Sequence, residues 1–257
     1  MSTQNTTSTP ATTSGQAPAR KGLSSFTLKI IAIIGMTCNH AGYIFYSYLP
    51  FEVIFVCFAI GGITFPTMAF LLVEGYKHTS NIRKYALRLF IFALIAQIPF
   101  SLFLVAFEAN VLFTLLLGLA ALYLYDHLEN RTLFWLAFVG IVVVSSQCDW
   151  GMLGPIVVLI MHAVPHNKER IIFAIGLIIL SVGFPSLLAY FATLDLVQLP
   201  YALYAFVGSG MCIPLLLAYN GSRGRPLKWF FYAYYPAHIL VLGVAKGLLF
   251  GDWTQSF

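Results

Sequence analysis

Two histidines stand inside long apolar stretches. His40 lies in Met36-Thr37-Cys38-Asn39-His40-Ala41-Gly42, and His238 closes Phe230-Phe231-Tyr232-Ala233-Tyr234-Tyr235-Pro236-Ala237-His238. An ionisable side chain in such a place costs about 2.5–3.5 kcal/mol or more, so it needs a reason. An imidazole there can stay neutral, take up a proton or act as a nucleophile. A plain hydrogen bond between helices is the other role open to it. Lys29 precedes His40 by eleven positions. At helical spacing that is three turns and about 20°, so both share one face, about 16 Å apart along the axis. A cation at a mouth and a base deep inside suit an elongated anionic ligand whose reactive end reaches the base. Lys29 could equally snorkel to the membrane surface.

Other groups gather around this pair. Glu74 ends an apolar run that begins at Phe65-Pro66, and His78, Arg83, Lys84 and Arg88 follow it. Lys84 and Arg88 are four apart and share a helix face. Several cations beside one opening could hold the phosphates of a nucleotide-like ligand. Gln97 and Asn110 read as interhelical hydrogen-bond formers. Asp149, in Gln147-Cys148-Asp149-Trp150-Gly151, is a carboxylate where an incoming amine or hydroxyl could meet the path, or a helix cap. Tyr235 offers a hydroxyl donor.

The elements that must position these groups follow from composition. The chain has 257 residues, of which 9% are charged and 60% hydrophobic. The mean hydropathy is +0.85. A soluble domain carries about 25% charged residues, so a soluble or disordered chain is excluded. The unbroken apolar runs exclude an outer-membrane barrel, whose strands alternate. The fold class expected is all-α, a polytopic bundle of about nine spans. They run roughly over 26–48, 52–75, 84–107, 110–128, 132–147, 150–165, 170–191, 197–219 and 228–250. Residues 1–25 read as a disordered polar tail without a signal-peptide core, and 26–257 as one transmembrane domain. The net charge of +5 is a matter of position rather than of nucleic-acid binding. With these spans, thirteen of the 14 basic residues fall on the side of the N-terminus, and Lys246 alone departs. Positive charge stays in the cytoplasm, so the N-terminus is expected there, in a bacterial inner membrane. The four cysteines form no CxxC pattern and suggest neither a metal site nor a disulfide framework. No Walker loop, HExxH or GxSxG occurs. The halves do not resemble each other as those of an inverted-repeat transporter would.

Taken in order, seven blocks resemble the TraX family. They are Leu28-Lys29 through Asn39-His40-Ala41-Gly42, Thr64-Phe65-Pro66 through Glu74-Gly75, and His78-Thr79 with Arg88-Leu89-Phe90. Gln97-Ile98-Pro99-Phe100, Asn110-Val111-Leu112-Phe113-Thr114, Asp149-Trp150-Gly151 and Phe230 through His238-Ile239-Leu240 continue the series. The resemblance covers about residues 26 to 245. It implies an integral-membrane acyltransferase, similar to the enzyme associated with N-terminal acetylation of conjugative pilin. It also implies kinship with polysaccharide O-acetylases and the lysosomal glucosaminide N-acetyltransferase. Many of that wider group show Arg, ten residues, then His. Here Lys29 replaces the Arg, keeping the charge but not the bidentate fork. Asn39 replaces the Asp that usually precedes the His, so Glu74 or Asp149 would have to supply a carboxylate.

The function expected is transfer of an acetyl group from cytoplasmic acetyl-CoA to an acceptor at the outer face. The acceptor would be the N-terminal amine of a pilin-like subunit, or a hydroxyl or amine of a cell-envelope glycan. His40 would be the base or a brief acetyl carrier, with Asn39, Glu74, Asp149, Tyr235 and His238 around the reaction. Lys29, His78, Arg83, Lys84 and Arg88 would hold the donor, and no metal is called for. The lipid bilayer is a constant partner, nucleic acid is not, and oligomers could form through small residues such as Gly61, Gly62 and Gly118. Two alternatives stay open: a proton-coupled transporter with His40 and His238 as relay groups, and a non-catalytic pilin-assembly protein.

Overall fold

A computed structural model describes residues 21–255. Most of the polar tail therefore lies outside the described residues. Its last part does not: Leu23 and Ser25 donate backbone N–H bonds to the Ala218 and Ser222 carbonyls, strapping the start of the first helix to the 218–223 loop.

The described residues are helical apart from loops and two isolated backbone bridges, Leu23 with Tyr219 and Ala109 with Cys148. Helix α1 spans Ser25–Ile44, α2 Phe51–Gly61, α3 Thr64–His78, α4 Ile82–Phe103, α5 Val111–His127, α6 Arg131–Ser145 and α7 Leu153–Ala163. Helix α8, Asn167–Ile178, passes through a π-helical turn at Ile179–Gly183 into α9, Phe184–Thr193. Helix α10, Leu199–Leu203, passes through a second π turn at Tyr204–Ser209 into α11, Gly210–Leu217, and α12 spans Lys228–Phe250. Short polar residues set several starts. The side chains of Ser24, Asn81, Asn110 and Asn130 each accept a backbone N–H from the first turn they precede.

Five helical stretches are long and apolar enough to cross a membrane: 51–78, 82–103, 167–193, 196–217 and 228–250. The apolar helices α5, α6 and α7 have 17, 15 and 11 residues, short of the ~20 needed to cross unaided. Against about nine expected spans, five therefore meet the length and composition requirement among the described residues. The outer faces carry many large exposed apolar side chains. Leu136, Val143, Leu188 and Leu248 are each at least 60% exposed, a surface stable only against lipid.

Helices α1, α3, α4, α5, α7 and α12 line most of the interior, and Leu177, the first π turn, Tyr201 and Tyr204 close the rest. A close backbone approach holds the periphery on. A Cβ on Gly208 would lie 2.2 Å from the Ala59 carbonyl oxygen and 2.6 Å from Gly62 Cα, so the second π turn crosses α2 backbone to backbone. Gly208→Ala is expected to cost about 1–3 kcal/mol through overpacking. A lowered melting temperature in detergent would show it, and an unchanged one would argue against this crossing.

At the far end of α12 the chain turns back as a hook. Lys246, 3% exposed, pairs with Asp252 at 3.0 Å and donates to the Thr254 carbonyl at 3.0 Å. Tyr48 Oη also donates to Asp252, at 2.8 Å. Hydrogen bonds from Thr254, Lys246 and Tyr48 hold the Asp252 carboxyl well below the usual carboxylate range. The one cation that departs from the charge asymmetry expected from sequence is therefore neutralised in place.

Candidate functional site

Helix α1 packs against α2, α3 and α12, and this brings His40 beside His238, 198 residues away. Their rings are 8° from parallel with centroids 4.9 Å apart, and His40 Nδ1 lies 2.7 Å from His238 Nε2. A short N···N distance between ring nitrogens is a hydrogen bond, and it governs this contact rather than stacking. The tautomers follow from the network. His238 Nδ1 lies 2.8 Å from the Tyr234 carbonyl, which can only accept, so the proton is on Nδ1. His238 Nε2 is then the acceptor, and His40 Nδ1–H donates to it. His40 Nε2 is left as a bare lone pair, and no hydrogen bond engages it among the described residues. Both residues are buried, at 8% and 7% exposure. The next turn is anchored as well: Thr37 donates to the Ile33 carbonyl at 2.7 Å and Tyr234 Oη meets Thr37 Oγ1 at 2.7 Å.

His40 lines a cavity of about 1480 Å³. Single-ligand pockets run to about 1,000 Å³, so there is room for two substrates. One end is basic. Lys29, Lys84, Arg88, Arg223 and Lys228 line it, with His78. Lys29 and Arg223 are close enough to repel. The carboxylate at this end, Glu74, is already held by Lys77 at 3.3 Å and by the buried Arg170 at 3.4 Å. Arg88 Nε is buried without a partner. The positive charge lining this end exceeds what Glu74 can balance, and this fits a polyphosphate or nucleotide phosphate.

The other end is acidic and aromatic. Glu108, Asp149, Trp150, Tyr43, Tyr201 and Tyr204 line it. The corner between α6 and α7 is pinned there. Asp149 N–H donates to the Ala109 carbonyl at 2.7 Å, Thr114 Oγ1 donates to the Asp149 carbonyl, and Trp150 stacks on Phe65 at 3.8 Å. Trp150 has φ 70°, a left-handed conformation that a bulky residue adopts only when its surroundings hold it. Gln97 and Asn110 support the facing corner: Asn110 donates to the Gln97 side chain and to the Ala93 carbonyl, and Gln97 donates to the Glu108 carbonyl.

Of the residues singled out from sequence, Lys29, Asn39, His40, Glu74, His78, Lys84, Arg88, Asp149 and Tyr235 all line this cavity. His238 stands behind His40. Arg83 is exposed and does not line it. Asn39 does not orient the imidazole. Its side chain lies over Gly61, where a Cβ would come within 2.5 Å, and its buried Nδ2 has no partner. Tyr235 Oη is likewise buried, with the Val111 backbone N–H beside it. His238 has no N–H to spare for a substrate, since Tyr234 takes it. Arg223, Lys228, Tyr43, Tyr201 and Tyr204 join the site without a sequence motif of their own. Only the shared basic side of Arg223 and Lys228 hints at them.

A family model described as TraX protein matches residues 24–246. The probable fimbrial assembly protein FimC, serogroup H1, of Dichelobacter nodosus is 33% identical, the match covering 88% of this chain and 97% of that protein. No solved structure matches significantly. The matched span runs from the cap of α1 through His40, the Asp149 corner and His238 to Lys246, so the whole cavity lies within it, and the chain belongs to the TraX family.

Proposed function

We propose that this protein transfers an acetyl group from acetyl-CoA, bound at the basic mouth, to an amine or hydroxyl presented at the acidic end. One observation carries the reading. His40, its Nδ1 engaged by His238 and its Nε2 left with the lone pair, lines a cavity that runs from a cluster of cations to a pair of carboxylates. Lys29, Lys84, Arg88, Arg223 and Lys228 would hold the nucleotide phosphates. His40 Nε2 takes the proton of the acceptor as its nitrogen or oxygen attacks the thioester carbonyl. The new bond forms to the acetyl carbon, the carbon–sulfur bond breaks, and the proton passes from His40 to the departing thiolate. Tyr235 Oη and Asn39 Nδ2 are buried atoms of this wall, so either serves the oxyanion only after its side chain turns toward the cavity. The mouth faces the cytoplasm and the Asp149 corner the far side of a bacterial inner membrane, with α1 and the short helices α5, α6 and α7 bringing the five long stretches to nine spans.

Calorimetric titration of the detergent-solubilised protein with CoA and acetyl-CoA tests the donor half. Lys84→Ala with Arg88→Ala is expected to weaken binding at least tenfold, the loss of charge-assisted contacts worth about 1.5–3 kcal/mol each. Absence of CoA binding by the unaltered protein would overturn the proposal. The name of the Dichelobacter relative favours a pilin-like acceptor. It also favours a second reading, a non-catalytic assembly protein, which predicts pilin binding without CoA binding.

A further inference from the structure

Helices α1 and α12 run in the same direction and touch through two polar rungs. One is the His40–His238 bond. The other joins Thr37, three residues before His40, to Tyr234, four residues before His238. At helical rise the rungs are about 4.5 Å apart on α1 and about 6 Å apart on α12. The direction of the second rung follows from its neighbour. Thr37 has one hydroxyl proton, and the Ile33 carbonyl, 2.7 Å away, can only accept it. Tyr234 Oη therefore donates to Thr37 Oγ1, at 2.7 Å. Tyr234 also meets His238 in two ways. Its carbonyl takes the Nδ1 proton at 2.8 Å, and its ring stacks on the imidazole, 12° from parallel with centroids 5.1 Å apart.

Helix α12 is weakened at this turn. Pro236 lies inside it, between the tyrosine and the histidine, and has no N–H for the Tyr232 carbonyl. The turn that carries both side chains is thus one backbone bond short, and the tie to α1 braces it from outside. Neither Tyr234 nor Thr37 lines the cavity. Any effect they have on a substrate must pass through the imidazoles. We propose that Tyr234 is a positioning residue of the histidine pair. By gripping Thr37 on α1 and the imidazole of His238 on α12, it sets the separation at which His40 gives its Nδ1–H to His238 and keeps the lone pair on Nε2. The consequence for rate rests on the acyl-transfer reading, whereas the consequence for the tautomer does not.

The test uses Tyr234→Phe, which keeps the ring and the carbonyl and removes only the hydroxyl, with Thr37→Val and Thr37→Ser as companions. Nitrogen-15 NMR of the labelled imidazoles of the full chain in detergent reads the ratio of the Nδ1–H to the Nε2–H form of His40. In Tyr234→Phe that ratio is expected to fall about fivefold, within the range that loss of one hydrogen bond produces. The kcat for acetyl-CoA should fall by a similar factor, with its KM unchanged within twofold. Thr37→Val should match both losses and Thr37→Ser, which retains a hydroxyl, should restore both. The double variant Tyr234→Phe with Thr37→Val should be no worse than either alone, since both remove the same bond. An unchanged His40 ratio in Tyr234→Phe and Thr37→Val would overturn the proposal. So would losses that multiply in the double variant, or a Thr37→Ser protein as impaired as Thr37→Val, since these mark packing rather than the bond. A shifted ratio in a protein that binds no CoA would sink the acyl-transfer reading and leave the positioning role standing.

Discussion

Replacing His40 with alanine is expected to lower acetyl transfer at least 10³-fold, and His238→Ala to lower it about 10²-fold, both proteins remaining folded. General acid–base groups contribute about 10²–10⁴-fold. His40 is placed to exert that effect itself, because it lines the cavity and its Nε2 carries the free lone pair. His238 is a positioning residue. Its only service is to accept the proton of His40 Nδ1, which keeps the lone pair on Nε2. His238→Gln is the informative companion, since a side-chain carbonyl can accept the same N–H. It should recover part of the rate lost in His238→Ala. Nitrogen-15 NMR of the labelled imidazole reads the tautomer directly: His40 should be protonated on Nδ1 in the unaltered protein and mixed in His238→Ala. A merely structural role for His238 predicts lost folding with no change of tautomer. Full turnover in folded His40→Ala would remove the mechanism.

Asp149→Asn is expected to make the protein more stable at pH 8 and poorer at its chemistry. Burial in the cavity wall, then the nearby Glu108, pushes the Asp149 carboxyl from 3.8 up to about 7, with the Trp150 N–H working against both. The folded protein therefore keeps a proton that the unfolded chain releases between about pH 4 and 7. That stabilisation is complete below pH 4, falls as pH rises toward 7, and is gone above it. Asparagine keeps the neutral form at every pH. The two proteins should melt alike at pH 4 and diverge by pH 8. The gap is at most about 4 kcal/mol, less whatever cavity water screens. The variant should also bind an amine acceptor with a KM at least tenfold higher, because the counter-charge is gone. Thermal melts at the two pH values, paired with acceptor titrations, read both effects. A variant that melts lower at pH 8 would show that the carboxylate is needed for folding instead.

Local geometry is legible from the amino acids alone. Lys29 and His40 share a face because eleven residues make three helical turns, whatever the helix packs against. Lys84 and Arg88 share one for the same reason. Arg83 precedes Lys84 by about 100° of rotation, and it points away from the cavity that they line. Asn81, Asn110 and Asn130 cap helices as short polar residues do before apolar runs. What is not legible depends on packing across long separations. The missing Asp before His40 suggests Glu74 or Asp149 as the compensating carboxylate. Yet Glu74 is taken by Arg170, 96 residues on, and the partner of His40 is His238. Nothing in either local pattern says that α1 lies beside α12. The π turns also leave no mark, since an extra residue in a helix needs no special composition. Nor does apolarity alone set helix length: α5, α6 and α7 are apolar but shorter than a bilayer core is thick.

The hook at the end of α12 has a consequence for register. With its ammonium held by Asp252 and the Thr254 carbonyl, the buried Lys246 ties α12 lengthwise to the chain that turns back beside it. His238 lies eight residues earlier on the same rod, so a slip of α12 by a single turn, about 5.4 Å, would carry it past His40. A pair of residues remote from the cavity thus acts as the end-stop that sets the register of the two imidazoles.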